Sequence, residues 1–186
     1  MNPIEYTLIK SKRKTVSIRI RDNGQVEVRA PKYMSKRAIE ELIVQKWEWI
    51  EAAQKEALNR ADKLSKIEKL NEKEVEVIRK KARQIIVPLV EYYADQMGVS
   101  YERIAIRTQK SRWGSCSGRK NLNFNALLIM TPEDVVHYVV VHELCHLKEM
   151  NHSERFWNEV ERVHPSYRED RKWLQEHGDE LISMLP

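Results

Sequence analysis

His142-Glu143-Leu144-Cys145-His146 is the stretch on which the reading of this chain turns. Two imidazoles at i and i+4 leave one face of a helix, a spacing that lets both hold a single tetrahedral cation through ring nitrogens. Glu143, about 100° around the helix from His142, can reach the open coordination position and take a proton from bound water. The surrounding segment reads as a buried helix, because Val135, Val136, Val139, Val140, Val141, Leu144 and Leu147 cover most of its circumference. Thr131 is a suitable N-cap, Pro132 fits the first helical position, and Glu133 and Asp134 complement the positive helix end. Polar His-Glu-His in such a helix is costly without partners, and a metal supplies one. The competing reading is a pair of core histidines bonded to backbone, with Glu143 turned to solvent.

A third ligand is needed, and His152 follows His146 by six residues. The same interval separates the second and third histidines of metzincin peptidases, where a glycine halfway lets the chain turn. Here that position is Glu149, so the turn is expected at Met150-Asn151. Ser153 reads as the N-cap of a further helix through Phe156, Trp157 and Val160. A carboxylate on that helix, Glu159 or Glu161, competes for the third position, while His164 before Pro165 reads as a helix-end residue.

The run from His142 to Ser153, with Phe156-Trp157, resembles the YgjP-like metallopeptidase domain family, related to the SprT-like and WLM zinc proteases. Two further blocks match in the family's order: Arg112-Trp113-Gly114-Ser115-Cys116-Ser117 upstream, and His164-Pro165-Ser166-Tyr167 with Trp173-Leu174 downstream. The resemblance implies His142, His146 and His152 as ligands of one Zn²⁺ per chain and Glu143 as general base. It implies two activities, since the family is named for peptidases while related members are assigned nucleoside triphosphate (UTP) pyrophosphatase activity.

Outward from the motif, the expected fold is α+β: a zincin-like metallohydrolase core of a small mixed sheet plus the His-Glu-x-x-His helix, preceded by an N-terminal β-hairpin or meander and helices. Apolar alternation at Ile4-Tyr6-Leu8, Val16-Ile18-Ile20 and Val26-Val28 predicts strands, with Asp22-Asn23-Gly24 as a hairpin turn. Ser35 opens an amphipathic helix bearing Ile39, Leu42, Ile43, Trp47 and Ile50. Residues 54–73 are charge-dense and read as a solvated helix extension or linker. A long helix is expected from Glu72 to Met97, stopped by Gly98 and kinked at Pro88. Short strands are expected at Arg103–Arg107, Arg112–Ser115 and Asn121–Leu127. The domains are placed at 1–70, basic, and 71–186, catalytic.

An edge strand beside the metal can receive an extended peptide, which makes Arg112, Trp113 and Gly114 candidate substrate-binding residues. Gly114 permits close backbone approach, Trp113 packs beneath the zinc helix or contacts substrate, and Arg112 with Arg107, Lys110, Arg119 and Lys120 can bind a carboxylate or phosphate. Tyr167 and His164 are candidates for stabilising a developing oxyanion.

Net charge is +5, concentrated early in Lys10, Lys12, Arg13, Lys14, Arg19, Arg21, Arg29, Lys32, Lys36 and Arg37. Such a basic hairpin attracts phosphates or nucleic acid, although no base-reading motif is present and the same charges serve as a solvated face. No apolar run is long enough to span a membrane, and the start Met1-Asn2-Pro3-Ile4-Glu5 has no signal-peptide pattern. Cys116 and Cys145 make no disulfide framework, so a cytoplasmic protein is expected. The chemistry expected is a zinc-dependent metallohydrolase acting on peptide or protein through a zinc-bound water. UTP pyrophosphatase activity at the same centre is the first alternative, and a zinc-stabilised nucleic-acid or protein-binding module the second.

Overall fold

A computed structural model describes residues 4–186, so Met1, Asn2 and Pro3, on which the reading of the N-terminus partly rests, lie outside the described residues. The chain forms two compact units that divide between Lys66 and Ile67.

The first unit holds β1 (Tyr6–Ser11), β2 (Ser17–Ile20), β3 (Val26–Pro31), α1 (Lys36–Gln45) and α2 (Trp47–Ser65). Its alternating apolar residues face one side of the sheet, in registers Tyr6–Val26, Leu8–Val28, Ile18–Val28 and Ile20–Val26. That face packs with Ile39, Ile43 and Ile50 of the helices. The β2–β3 hairpin turns where expected: Gly24 has φ 78°, and its N–H donates to the Arg21 carbonyl at 2.8 Å. A meander, however, is not what forms. β1 pairs in parallel with β3, giving the order β1-β3-β2. Period-two alternation fixes which face each side chain takes but not which strand lies next door, so this crossover leaves no sequence signal. On the opposite face Glu27 is buried between Arg21 and Arg29, which hold its carboxyl below the usual range. Two cations of the basic hairpin are thereby engaged internally.

The second unit begins with α3 (Glu72–Met97). Asn71 and Glu74 form a reciprocal capping box at its start, and Gly98, φ 62°, ends it. The helix continues on both sides of Pro88 and buries Ala82, Ile86, Val90, Ala94 and Met97 along one stripe. Then come β4 (Arg103–Arg107), β5 (Gly114–Cys116), β6 (Asn121–Asn125), a 3-10 turn (Ala126–Met130), α4 (Glu133–Cys145), α5 (Glu154–Val163) and α6 (Tyr167–Ser183). The sheet order is β4-β6-β5, with β4 parallel and β5 antiparallel to β6. β5 is therefore an edge strand, and α4 packs across it. The architecture of the described residues is mixed α+β, with two small mixed sheets and six helices.

Three local expectations are corrected. The strand expected to reach Leu127 stops at Asn125, whose Oδ1 accepts from the Leu127 N–H at 3.2 Å and starts the 3-10 turn. Arg112 and Trp113 precede β5 rather than belonging to it. Thr131 does not cap α4: its hydroxyl donates back to the Leu128 carbonyl at 2.7 Å, and Pro132 occupies the N-cap.

Candidate metal centre

Helix α4 is apolar nearly all round, with Val135, Val136, Tyr138, Val139, Val140, Val141, Leu144 and Cys145 buried. Burial of the whole helix draws its polar residues into the interior as well, and Glu143 is only 5% exposed. His142 lies in the last turn and His146 at the C-cap. Beyond it the chain tightens, as the Lys148 and Glu149 N–H groups both donate to the Cys145 carbonyl. Lys120 is the one non-glycine with positive φ among the described residues, so Glu149 turns in ordinary right-handed or extended backbone. That is why no glycine is needed at this position. Asn151 Oδ1 then accepts from the Ser153 N–H at 3.1 Å, and Ser153 Oγ caps α5 through the Phe156 N–H at 3.4 Å. The bend before a capped helix returns His152 to the end of α4.

The outcome is convergence. One ligand atom from each of His142, His146 and His152 lies within 4.8 Å of the others. His142 Nε2 and His152 Nε2 are 3.1 Å apart. Two nitrogens bound at 2.0–2.1 Å to one tetrahedral cation stand about 3.3 Å from each other, so the spacing fits a shared ion. His146 Nδ1 donates to the Glu149 carbonyl at 3.1 Å, which leaves its Nε2 lone pair for a cation. Burial pushes His142 down to about 3, aided by the neighbouring imidazoles and Arg171. His146 is also lowered, mainly by burial. Both are thus neutral near pH 7, the form that ligates.

Phe156 is the floor of this cluster. Its fully buried ring lies 4.9 Å from His142, 4.5 Å from His146 and 4.8 Å from His152, centroid to centroid. Trp157 stacks on His152 at 5.6 Å and on Tyr167 at 5.3 Å, while Tyr138 sets its ring edge-on to His142 at 5.7 Å. Aromatic packing holds all three imidazoles, the Glu149 carbonyl adds a hydrogen bond at His146 alone, and among the described residues His142 Nδ1 is buried with no hydrogen-bond partner. Phe156→Ala is therefore expected to lower stability by about 3–5 kcal/mol and weaken metal binding together. Denaturant unfolding with and without added zinc measures both, and unchanged metal affinity would remove the floor role.

The other residues singled out from sequence take separate places. Glu159 is held by Lys148 at 2.5 Å and Arg162 at 2.8 Å, with Arg162 foremost in pulling its carboxyl down to about 2. Glu161 pairs with Arg168, and His164 Nε2 bonds to Asp170 Oδ2 at 2.6 Å in a buried pair. Tyr167 is buried in the aromatic stack. Arg112 is exposed, and its charge opposes the burial that pushes Glu143 up to about 8. Trp113 packs against α6 at Gly178, where a Cβ would come within 3.0 Å of the indole Nε1.

Comparison with known proteins agrees with the motif order. The YgjP-like metallopeptidase domain model matches residues 14–77 and 62–177. The chain belongs to this family. Among curated proteins none matches. Two solved structures resemble part of the YgjP-like chain. The metallopeptidase zymogen abylysin of Pyrococcus abyssi is 26% identical over 50% of this chain and 94% of its own, with a TM-score of 0.45. The zymogen jannalysin of Methanocaldococcus jannaschii is 26% identical over 49% of this chain and 95% of its own, with a TM-score of 0.43. Membership of a metallopeptidase family implies a metal, and the three-histidine cluster is compatible with one. Among the described residues no helix is long and apolar enough to cross a membrane.

Three residues around the cluster make contacts that their sequence positions do not announce. Arg171 sets its guanidinium 4.8 Å over the Trp157 ring and adds positive potential at His142, but on α6 it resembles any exposed arginine. Trp157 reads as a core anchor until its stacking on His152 is seen. Asn125 is buried, and its amide donates to the carbonyls of Gln109 at 2.7 Å and Arg112 at 3.1 Å, pinning the approach to β5.

Proposed function

We propose that this YgjP-like protein is a zinc metallopeptidase, with His142, His146 and His152 holding Zn²⁺ and Glu143 acting as general base. The observation that carries the reading is the meeting of three imidazoles with a neighbouring buried carboxyl at the end of one helix. Zinc, when bound, supplies Lewis acidity that brings the pKa of water towards about 7. Glu143 accepts the proton and returns it to the leaving amine. Its carboxyl is pushed up by burial to about 8, and a cation bound beside it would bring it back down, towards proton exchange near neutrality.

A peptide substrate is favoured by β5. Among the described residues this strand pairs only with β6, so its second edge offers backbone donors and acceptors to an extended chain beside α4. Arg112 and Arg171 give the surroundings positive potential suited to a substrate carboxylate. The catalytic domain comprises residues 71–186, and the protein works in the cytoplasm. Its test is hydrolysis of an unfolded protein substrate, lost on chelation and restored by one equivalent of zinc. Release of pyrophosphate from UTP under the same regime, with no proteolysis, would replace peptide by nucleotide as the substrate of this centre.

A further inference from the structure

Gly114, the first residue of β5, stands opposite Glu143. A Cβ there would lie 2.5 Å from Glu143 Oε1, 2.6 Å from Cγ and 2.8 Å from Cδ. No real Cβ contact is so short, and its three nearest atoms all belong to Glu143. The backbone at Gly114 does not demand glycine, because Gly24 and Gly98 are the described glycines with positive φ. The missing side chain serves its neighbour instead. Glu143 cannot simply swing aside, since it is buried on a helix enclosed by core residues and the clash reaches back to Cγ.

We infer that Gly114 is a positioning residue: its bare backbone forms the notch in which the Glu143 carboxyl is held for proton transfer. The inference rests on Glu143 being the general base of the proposed peptidase. The notch is fixed from both flanks. On one side Asn125 bonds to the Gln109 and Arg112 carbonyls and takes its own N–H to the Trp113 carbonyl at 2.8 Å. On the other side the Trp113 indole is seated on Gly178 of α6. Strand β5 is therefore not free to retreat from an added methyl, and the carboxyl must move. Displacing a reacting group by about 1 Å costs on the order of 10²-fold in rate.

The test is a double-mutant cycle on the full chain with zinc. Gly114→Ala is expected to lower kcat about 10²-fold, with KM little changed and one zinc retained. Shortening the base in Glu143→Asp should cost much less in the Gly114→Ala background than in the wild type, because the shorter carboxyl withdraws from the methyl. If Gly114→Ala folds poorly, thermal stability supplies the same cycle: the loss should disappear in the Glu143→Ala background, where the obstructing side chain is gone. Effects that add without coupling in both readouts, or a Gly114→Ala protein with wild-type kcat, would overturn the inference. Wild-type kcat in Glu143→Gln would overturn the peptidase reading itself, so the two failures are told apart.

Discussion

Glu143→Gln should lower proteolytic kcat by at least about 10²-fold while leaving zinc content and thermal stability close to wild type. The amide keeps the shape that fills the notch at Gly114, so packing between α4 and β5 is preserved. It also removes a buried ionisable group whose charged form burial disfavours, so a neutral replacement suits the interior. What is lost is the ability to accept a proton. Steady-state kinetics on an unfolded protein substrate, with zinc measured on the same sample, separates these effects. Activity that persists in the variant would come from some other site.

His146→Ala is expected to act on the metal first. It removes one donor and, with it, the Nδ1 bond to the Glu149 carbonyl that shapes the turn towards His152. Losing an outer partner of a ligand typically costs 10–100-fold in affinity, and losing the ligand itself should exceed about 10²-fold. Competition with a chromophoric chelator reads this directly, and activity should fall in step. Zinc held as tightly by the variant as by the wild type would mean that the three imidazoles do not share an ion.

Much of this arrangement was readable from residues whose local pattern is self-contained. Helix α4, the capping of α5 by Ser153, the hairpin at Gly24 and the stop at Gly98 all follow from short-range rules, and each is present. Three of the departures share a cause. The parallel pairing of β1 with β3 joins strands that are not consecutive. The stack of Arg171, Trp157 and His152 joins α6 to the loop that carries His152. Gly114 was read as making room for substrate, whereas the group pressed against it is the protein's own Glu143. In each case the deciding partner is distant in sequence, and a residue's type announces only that a neighbour of some kind exists. Thr131 failed differently: its hydroxyl had two nearby backbone options and took the one before the helix.

With the three histidines as the proposed zinc ligands, their placing between residues 142 and 152 has a consequence for how metal and folding would be coupled. Ligands so near in sequence form a local chelate, whose loop closure costs little entropy even before the domain assembles. The unfolded chain then keeps a share of its zinc affinity, and the ion raises the melting temperature by less than its native dissociation constant would suggest. The proposed base Glu143, by contrast, meets Gly114, and Asn125 pins the approach to that strand, only when the sheet is complete. Possession of the ion and competence to use it are thus written at different ranges of the sequence, and damage to the sheet should yield chains that carry zinc and cut nothing.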